Sequence, residues 1–262
     1  MTTALAIVAH PDDIEFVIAG TLLRLKDKGA DIHMLNIASG SYGSMIHSEK
    51  DITRIRWEEA QASAREAGAT MHPPLVKDLH IFYTVELLRE VTAIVREVQP
   101  DIVLTHSPQD YMEDHMNAAR LAVTAAFVRA LPLVESDPPT AAFPGDTMVY
   151  HAMPHGGRDP LRKRIQAEIY VNITDVLQRK TSMLAKHDSQ KAFLDAAQGM
   201  DSYLISMQDS CREFGRMSGR FEYAEGFRRH SHLGFASHDG DPLSDALGDL
   251  AWTDPAYIES LG

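Results

Sequence analysis

The sequence contains a single cysteine, no long hydrophobic run and fewer basic than acidic residues. Cys211 alone excludes an internal disulfide framework and a cysteine-built zinc site, so we expect a reducing compartment, the cytoplasm. No apolar stretch approaches the roughly 20 residues that span a bilayer, and no secretory signal is evident, so we expect no membrane partner. With 25 Lys and Arg against 37 Asp and Glu, the formal net charge is -12, which disfavours nucleic acid. A small molecule is the expected partner.

The dinucleotide-binding pattern G-x-G-x-x-G is also missing after the first apolar run, which disfavours a nucleotide-binding Rossmann domain. The stretch "VAHPDDIEF" (8–16) stands there instead. An imidazole and two adjacent carboxylates are costly to bury together unless a cation or a proton lies between them. The end of the first predicted strand is therefore a candidate functional site.

Apolar runs alternate with amphipathic segments about every thirty residues in the first half of the chain. The predicted strands are 4–9, 30–39, 101–106, 147–153 and 167–173. The predicted helices are 20–29, 52–69, 84–100, 115–131 and 174–194, the last with Thr174 as its N-cap. This alternation predicts an α/β, Rossmann-like fold with a mostly parallel sheet and helices on both faces. We expect one domain over residues 1–262, in which a surface arm or oligomer contact begins at about residue 235.

Two loops are expected to meet at one edge of this sheet. His10, Asp12 and Asp13 follow the first strand, and the loop 106–115 follows the strand at 101–106. Ligands bind where the strand order of such a sheet reverses, and zinc accepts imidazole nitrogen and carboxylate oxygen. One carboxylate of the pair can then bind a metal while the other faces a water molecule. Taken alone, the H-P-D-D string is a weak signal, because such a string is more often a turn with Pro11 and solvated aspartates.

Six stretches resemble the PIG-L/LmbE-like family of zinc-dependent N-deacetylases, in the family's order. They are "AHPDDIE" (9–15), "GTLLRLKDKGADIHMLNIASGSYGS" (20–44), "RWEEAQASAREAGA" (56–69), the Asp-His motif ending at His115, "ITDVLQRKTSMLAKHDSQ" (173–190) and "EYAEGF" (222–227). The resemblance implies Zn²⁺, or another divalent ion such as Fe²⁺, bound by His10, Asp13 and His115. It also implies that Asp12 is the general base.

The resemblance further assigns substrate contacts. Arg56 matches the family's arginine that holds the sugar or its anionic appendage, although pairing with Glu58 or Glu59 explains it equally well. Asp78 falls where the family often has an aspartate that contacts sugar hydroxyls, although a turn at a strand end is an alternative. Tyr111 either points its hydroxyl at the substrate or packs in the core.

The sequence departs from the family at Met112, where many members carry a histidine that stabilises the oxyanion or protonates the leaving amine. Methionine cannot donate a useful hydrogen bond, so another residue must take over this role or the metal must act alone. The candidate substitutes are His106, His151, His155, His187, His230 and His232, of which His155 is the first choice. We expect Asp114 and Glu15 to support the site from behind, or Glu15 to be an ordinary first-turn acid.

The resemblance implies a hydrolase that removes an acetyl group from an N-acetylated amino sugar or glycoconjugate by attack of metal-activated water. It also suggests a homo-oligomer, either a trimer or a hexamer. One alternative is a zinc-containing binding or assembly protein with little or no hydrolase activity. Another is a hydrolase that acts on an amide outside the sugars.

Overall fold

The computed structural model describes residues 1–191 and 203–262, and its strands form one eight-stranded sheet. The strands are β1 (Thr3–Val8), β2 (Asp31–Asn36), β3 (Thr70–His72), β4 (Ile102–Thr105), β5 (Met148–Ala152), β6 (Ile169–Asn172), β7 (Ala224–Arg229) and β8 (Ala251–Thr253). Their order is β3-β2-β1-β4-β5-β7-β6-β8. The first five are parallel, and each of the contacts β5–β7, β7–β6 and β6–β8 is antiparallel. The order reverses between β1 and β4, so ligands are expected there.

Nine α-helices lie within the described residues. They are α1 (Asp13–Val17), α2 (Ala19–Asp27), α3 (Glu49–Ala67), α4 (Val85–Val98), α5 (Glu113–Val128), α6 (Leu177–Leu184), α7 (Tyr203–Ser218), α8 (Pro242–Leu247) and α9 (Pro255–Glu259). Residues alternate across β1: Ala4, Ala6 and Val8 join the core shared with α2, α3, α6 and α7. Leu5, Ile7 and Ala9 point to the opposite core with α4 and α5. The predicted parallel sheet with helices on both faces is confirmed.

Helix boundaries differ from the sequence prediction in two places. Instead of one helix at 20–29, α1 and α2 follow each other from Asp13, interrupted at Ile18, where the backbone leaves the helical region. The predicted helix 174–194 contains a 3₁₀ turn and then α6, which ends at Leu184, while 192–194 lie outside the described residues. Thr174 is not an N-cap, because its hydroxyl oxygen accepts the backbone N–H of Tyr223. A contact 49 residues away thus outweighs the local capping preference.

The C-terminal residues pack on the sheet as far as Thr253. Leu243 and Leu247 of α8 are buried in the core on the α2 side, and β8 pairs with β6. The hydroxyl of Tyr150 in β5 donates a 2.7 Å hydrogen bond to Asp241 at the start of α8. Within the described ranges, no helix is long and apolar enough to cross a membrane.

Candidate metal centre and cavity

The loops that follow β1 and β4 meet at the carboxyl edge of the sheet, as predicted. Ligand atoms of His10, Asp13 and His115 lie within 4.8 Å of one another. His10 Nδ1 and His115 Nε2 each lie 3.4 Å from an oxygen of Asp13. His115 is buried and the other two are nearly so. Two imidazoles and one carboxylate form the donor set of a catalytic zinc site.

The far nitrogens of both imidazoles are held by further carboxylates. His10 Nε2 lies 3.0 Å from Asp114 Oδ2, and His115 Nδ1 lies 2.9 Å from Asp110 Oδ1. Metal-binding histidines characteristically donate their other N–H to a carboxylate, which fixes the ring orientation. Asp114 therefore lies behind His10, and Asp110 has the same relationship to His115.

Charge around Asp13 also fits a cation. Burial alone would lower the pKa of His10, but the hydrogen bonds to Asp114 and Asp13 raise it to about 9. Burial likewise opposes the charge on His115, yet Asp13 and Asp110 raise its pKa to about 10. Burial would raise the pKa of Asp13, but the neighbouring imidazoles hold it well below its ordinary value. The cluster therefore favours positive charge next to Asp13.

His106 lies beside this cluster but is not one of its three ligand residues. Its ring stacks on that of His115, with centroids 4.1 Å apart and an interplanar angle of 3°. Its Nε2 accepts a 3.0 Å hydrogen bond from the backbone N–H of Ala9. His106, Asp110 and His115 form a second group with ligand atoms within 4.8 Å. However, the bonds between Ala9 and His106 Nε2 and between His115 Nδ1 and Asp110 already use one nitrogen of each ring and one oxygen of Asp110, so we favour the group around Asp13.

Asp12 lies next to the cluster in a strained backbone conformation with a φ of 99°. Its buried carboxylate accepts a 2.6 Å hydrogen bond from the hydroxyl of Tyr203, and Arg56 Nη2 lies 3.5 Å from its other oxygen. Burial raises the pKa of Asp12, and the charge of Arg56 opposes the rise. A carboxylate beside a metal-binding group, held by two partners, can accept a proton. No spacing in the sequence indicated Tyr203.

Arg56 is buried beneath the loop 40–43 and contacts protein on several sides. It donates hydrogen bonds to the carbonyl of Pro11 and to the side chain of Gln190. Among the described contacts, it pairs with neither Glu58 nor Glu59, because Arg54 binds Glu58 and Ser189 binds Glu59. Gly40 has a φ of +74°, and a Cβ atom there would lie 2.4 Å from Arg56 Cδ. Glycine is therefore required for the loop to close over the guanidinium.

Asp78 supports the same loop. Its two oxygens accept the backbone N–H groups of Gly40 at 2.7 Å and of Tyr42 at 3.0 Å. Asp78 is 8% exposed and lines the cavity beside Arg56. Its observed contacts thus shape the cavity wall through the loop 40–43.

A cavity of about 430 Å³ opens over the cluster. It is lined by three further residues of interest, Tyr111, Met112 and His155. Tyr111 is 57% exposed and its ring meets His115 edge-on at 5.4 Å, so it does not pack in the core. His155 packs edge-on against Phe16, and its buried Nδ1 has no hydrogen-bond partner among the described residues. Of the six candidate substitutes for the missing histidine, His106 and His155 reach this cavity.

The other four candidates lie elsewhere. His187 is fully buried, with Nε2 3.4 Å from Glu15, and neither residue lines the cavity. Glu15 also accepts a hydrogen bond from Ser63, so it lies behind the site. His151 and His230 contact each other at 3.1 Å in a different pocket, and His232 lies 3.5 Å from Asp239.

Residues 5–126 match the family described as PIG-L: GlcNAc-PI de-N-acetylase. A diacetylchitobiose deacetylase of Thermococcus kodakarensis is 29% identical over 239 residues, covering 86% of this chain and 81% of that protein. A 4-oxalmesaconate hydratase of Pseudomonas putida is 27% identical over 186 residues, covering 68% of this chain and 70% of that protein.

The fold is shared with a solved structure of 4-carboxy-2-hydroxymuconate hydratase from Pseudomonas putida KT2440. The TM-score is 0.75 at 21% identity, over 92% of this chain and 99% of that one. These similarities confirm the resemblance predicted from the sequence motifs. The match to the PIG-L family model lies in residues 5–126, which contain all three residues of the candidate metal centre.

Proposed function

We propose that the protein is a metal-dependent hydrolase that removes the acetyl group of an N-acetylated amino sugar or glycoconjugate. The observation that carries this proposal is the carboxylate of Asp12, which lies beside the donor set of His10, Asp13 and His115 without belonging to it. A purely structural metal site needs no such carboxylate. The deacetylase named among the relatives acts on diacetylchitobiose, which supports an N-acetylated sugar as the substrate class.

Zn²⁺ held by His10, Asp13 and His115 would supply Lewis acidity towards a water molecule and a carbonyl oxygen. In the reaction, Asp12 takes a proton from the attacking water as a bond forms between the water oxygen and the acetyl carbon. The C–N bond then breaks, and Asp12 returns the proton to the departing nitrogen, so the products are acetic acid and an amine, and the acid proton passes to the amine to give acetate and an ammonium group. Tyr203 and Arg56 hold the Asp12 carboxylate in place for both transfers.

Many family members have a histidine where this chain has Met112, and that histidine stabilises the oxyanion. In this chain, His155 takes that role. Its Nδ1 is buried, lacks a partner among the described residues and belongs to a ring that lines the cavity. Burial lowers the pKa of His155, so the ring is neutral at pH 7 and can donate one hydrogen bond to the developing oxyanion. Tyr111 offers its exposed hydroxyl to the sugar, while Arg56 and Asp78 contribute to substrate binding chiefly through the loop 40–43.

A hydratase is a second candidate, favoured by the similarity to 4-oxalmesaconate hydratase and by Met112. The same Asp12 would then remove a proton from water that adds across a carbon–carbon double bond. A zinc-containing binding protein is the non-enzymatic alternative, and an amide outside the sugars is the alternative within hydrolases. We also propose a cytoplasmic homo-oligomer, trimer or hexamer, which analytical ultracentrifugation would test.

The discriminating experiment incubates the zinc-loaded protein with N-acetylglucosamine, N,N'-diacetylchitobiose, an N-acetylated arylamine and 4-oxalmesaconate. We expect acetate release from the sugars, and a loss of about 10²–10⁴ in kcat for Asp12→Asn. Asp27→Asn is the matched control, because Asp27 pairs with Arg179 on the surface. Loss of ultraviolet absorbance from 4-oxalmesaconate alone would indicate the hydratase. No turnover of any compound with zinc still bound would favour the binding protein.

A further inference from the structure

A second pocket of about 550 Å³ lies on the other side of the loop 106–110 from the metal centre. It lies between α5, the ends of β5 and β7, and Tyr257 of α9. Arg120, Arg228 and Arg229 contribute to its lining, together with His151 and His230, and no carboxylate of the described residues does. A basic pocket is unexpected in a chain of net charge -12.

Two of these arginines have no acidic partner among the described residues. Arg120 is exposed, and its side chain has no ion pair or hydrogen bond within residues 1–191 and 203–262. Arg228 is half-buried, donates to the carbonyl of Gln166 at 2.6 Å and lies over the Tyr257 ring, so its partners are neutral. Arg229 differs, because it pairs with Asp239 at 3.1 Å. Two uncompensated guanidinium groups in one concavity favour binding of an anion.

The two histidines form an ordered wall of this pocket. His151 Nδ1 donates to the carbonyl of His106 at 2.8 Å, so its Nε2 is the acceptor for His230 Nδ1 at 3.1 Å. Burial lowers the pKa of His151 to about 4, and the charge of Arg228 adds to this effect, while burial also lowers the pKa of His230. Both rings are therefore neutral at pH 7, and the positive charge that an anion would meet comes from the arginines.

Apart from Thr124, the rest of the lining is apolar or aromatic. Tyr83 and Tyr257 supply rings, and Pro108, Ala119 and Val123 supply aliphatic surface. An inorganic anion would leave this surface uncovered, whereas an organic anion with a flat carbon body would bury it.

From this combination, we infer that the pocket is a binding site for a small organic carboxylate, separate from the metal centre. The unpaired guanidinium groups of Arg120 and Arg228 bind the carboxylate, and Tyr83 and Tyr257 contact the carbon body. This inference does not depend on the proposed deacetylase activity, because none of these residues lines the cavity over Asp12.

The test is calorimetric titration of the zinc-loaded protein with phthalate, a flat aromatic dicarboxylate, and in parallel with inorganic phosphate. We expect phthalate to bind at least about tenfold more tightly than phosphate. Arg120→Gln and Arg228→Gln should each weaken phthalate binding about tenfold or more, since each removes a charge-assisted contact. Arg164→Gln should leave it unchanged, because Arg164 pairs with Glu213 on the surface. Thermal unfolding verifies that each variant is folded. Because Arg120 is exposed and Arg228 is half-buried, Arg120→Gln should affect folding less than Arg228→Gln.

Two further arms separate this pocket from the metal centre and from a partner subunit. Asp13→Asn removes a ligand of the candidate metal centre, so phthalate binding should survive it; loss of binding there would place the anion on the metal and overturn the inference. In nuclear magnetic resonance spectra, phthalate should shift the imidazole signals of His151 and His230 and leave those of His33 and His72 unchanged. Equal affinity in the wild type and both arginine variants would also overturn the inference. Phthalate binding that occurs only after an oligomer dissociates would also overturn the inference, because a second copy of the chain would then occupy the pocket in the oligomer.

Discussion

The hydroxyl of Tyr203 donates a 2.6 Å hydrogen bond to the carboxylate of Asp12 across 191 residues of sequence. The acceptor is the candidate general base, and the donor is the first residue of α7. This bond fixes one oxygen of Asp12 and leaves the other facing Arg56 at 3.5 Å. The position of the base therefore depends on a helix from the C-terminal third of the chain.

Replacing Tyr203 by Phe removes this donor while keeping the ring. A hydrogen bond to a charged group contributes about 1.5–3 kcal/mol, so we expect kcat to fall roughly 10–100-fold with little change in KM. The hydrogen bond lowers the pKa of Asp12, so its loss should move the acidic limb of the pH–rate profile to higher pH. Tyr223→Phe is the control, because Tyr223 bonds Arg212 outside the cavity. An unchanged pH profile in Tyr203→Phe would contradict the assignment.

Asp114→Asn should weaken zinc binding without abolishing it. Asp114 orients His10 through a 3.0 Å contact, and loss of such a partner typically costs about 10–100-fold in metal affinity. The neighbouring exposed Glu113 provides the control variant Glu113→Gln. Competition against a chromogenic chelator measures both. Equal zinc affinity in the two variants would mean that Asp114 does not orient a ligand.

Gly40→Ala should destabilise the protein and lower its activity. The left-handed conformation costs a non-glycine residue about 1–2 kcal/mol, and overpacking typically adds a further ~1–3 kcal/mol. At Gly40 the new Cβ would meet Arg56, whereas at Gly29, with a φ of +86°, nothing lies within 4 Å. Gly29→Ala should therefore show the backbone cost alone and keep full activity. Urea unfolding and acetate release compare the two; equal losses would exclude the contact with Arg56.

Lys180→Met should lower the free energy of unfolding strongly for a substitution outside the cavity. The fully buried ammonium group of Lys180 donates to Glu225 at 2.6 Å and to the carbonyl of Phe16 at 3.0 Å. Removing one partner of a buried pair costs about 3–5 kcal/mol. Lys186→Met is the control, because its pair with Glu66 is partly exposed and worth about 0–1 kcal/mol. Similar free energies of unfolding for the two variants would show that the buried pair adds nothing.

His151 should make the protein less stable as the pH falls. Its pKa is about 4 in the folded protein, chiefly because it is buried, against an ordinary value of 6.5. Between these values the unfolded chain binds the proton more tightly, so stability is lost from about pH 6.5 down to pH 4, by about 3 kcal/mol at most. His151→Gln should flatten this part of the profile in urea unfolding experiments, and His238→Gln, on the exposed loop near Asp146, should not. A parallel decline in His151→Gln and the wild type would rule out His151 as the cause.

The sequence by itself determined most of the parallel half of the sheet, although the short strand β3 was not predicted. Period and run length encode burial, so β1, β2, β4 and β5 were predictable, and with them the meeting of the loops that follow β1 and β4. The family resemblance, and not the pattern, named His10, Asp13 and His115 as one ligand set. The resemblance also marked 173–190 and 222–227. In the structure these two stretches are joined by the buried pair of Lys180 and Glu225.

Only the tertiary structure decided which side chains are already engaged. Asp78 uses both oxygens on the loop 40–43, Tyr203 reaches Asp12, and β7 inserts between β5 and β6. Such contacts join residues that are tens to hundreds of positions apart, so no periodicity of the sequence indicates them. The local hydrophobic pattern indicates how much a residue is buried and not which partner it contacts. The basic pocket of Arg120 and Arg228 arises in the same way, from α5 and β7, which are distant in sequence and adjacent in the fold.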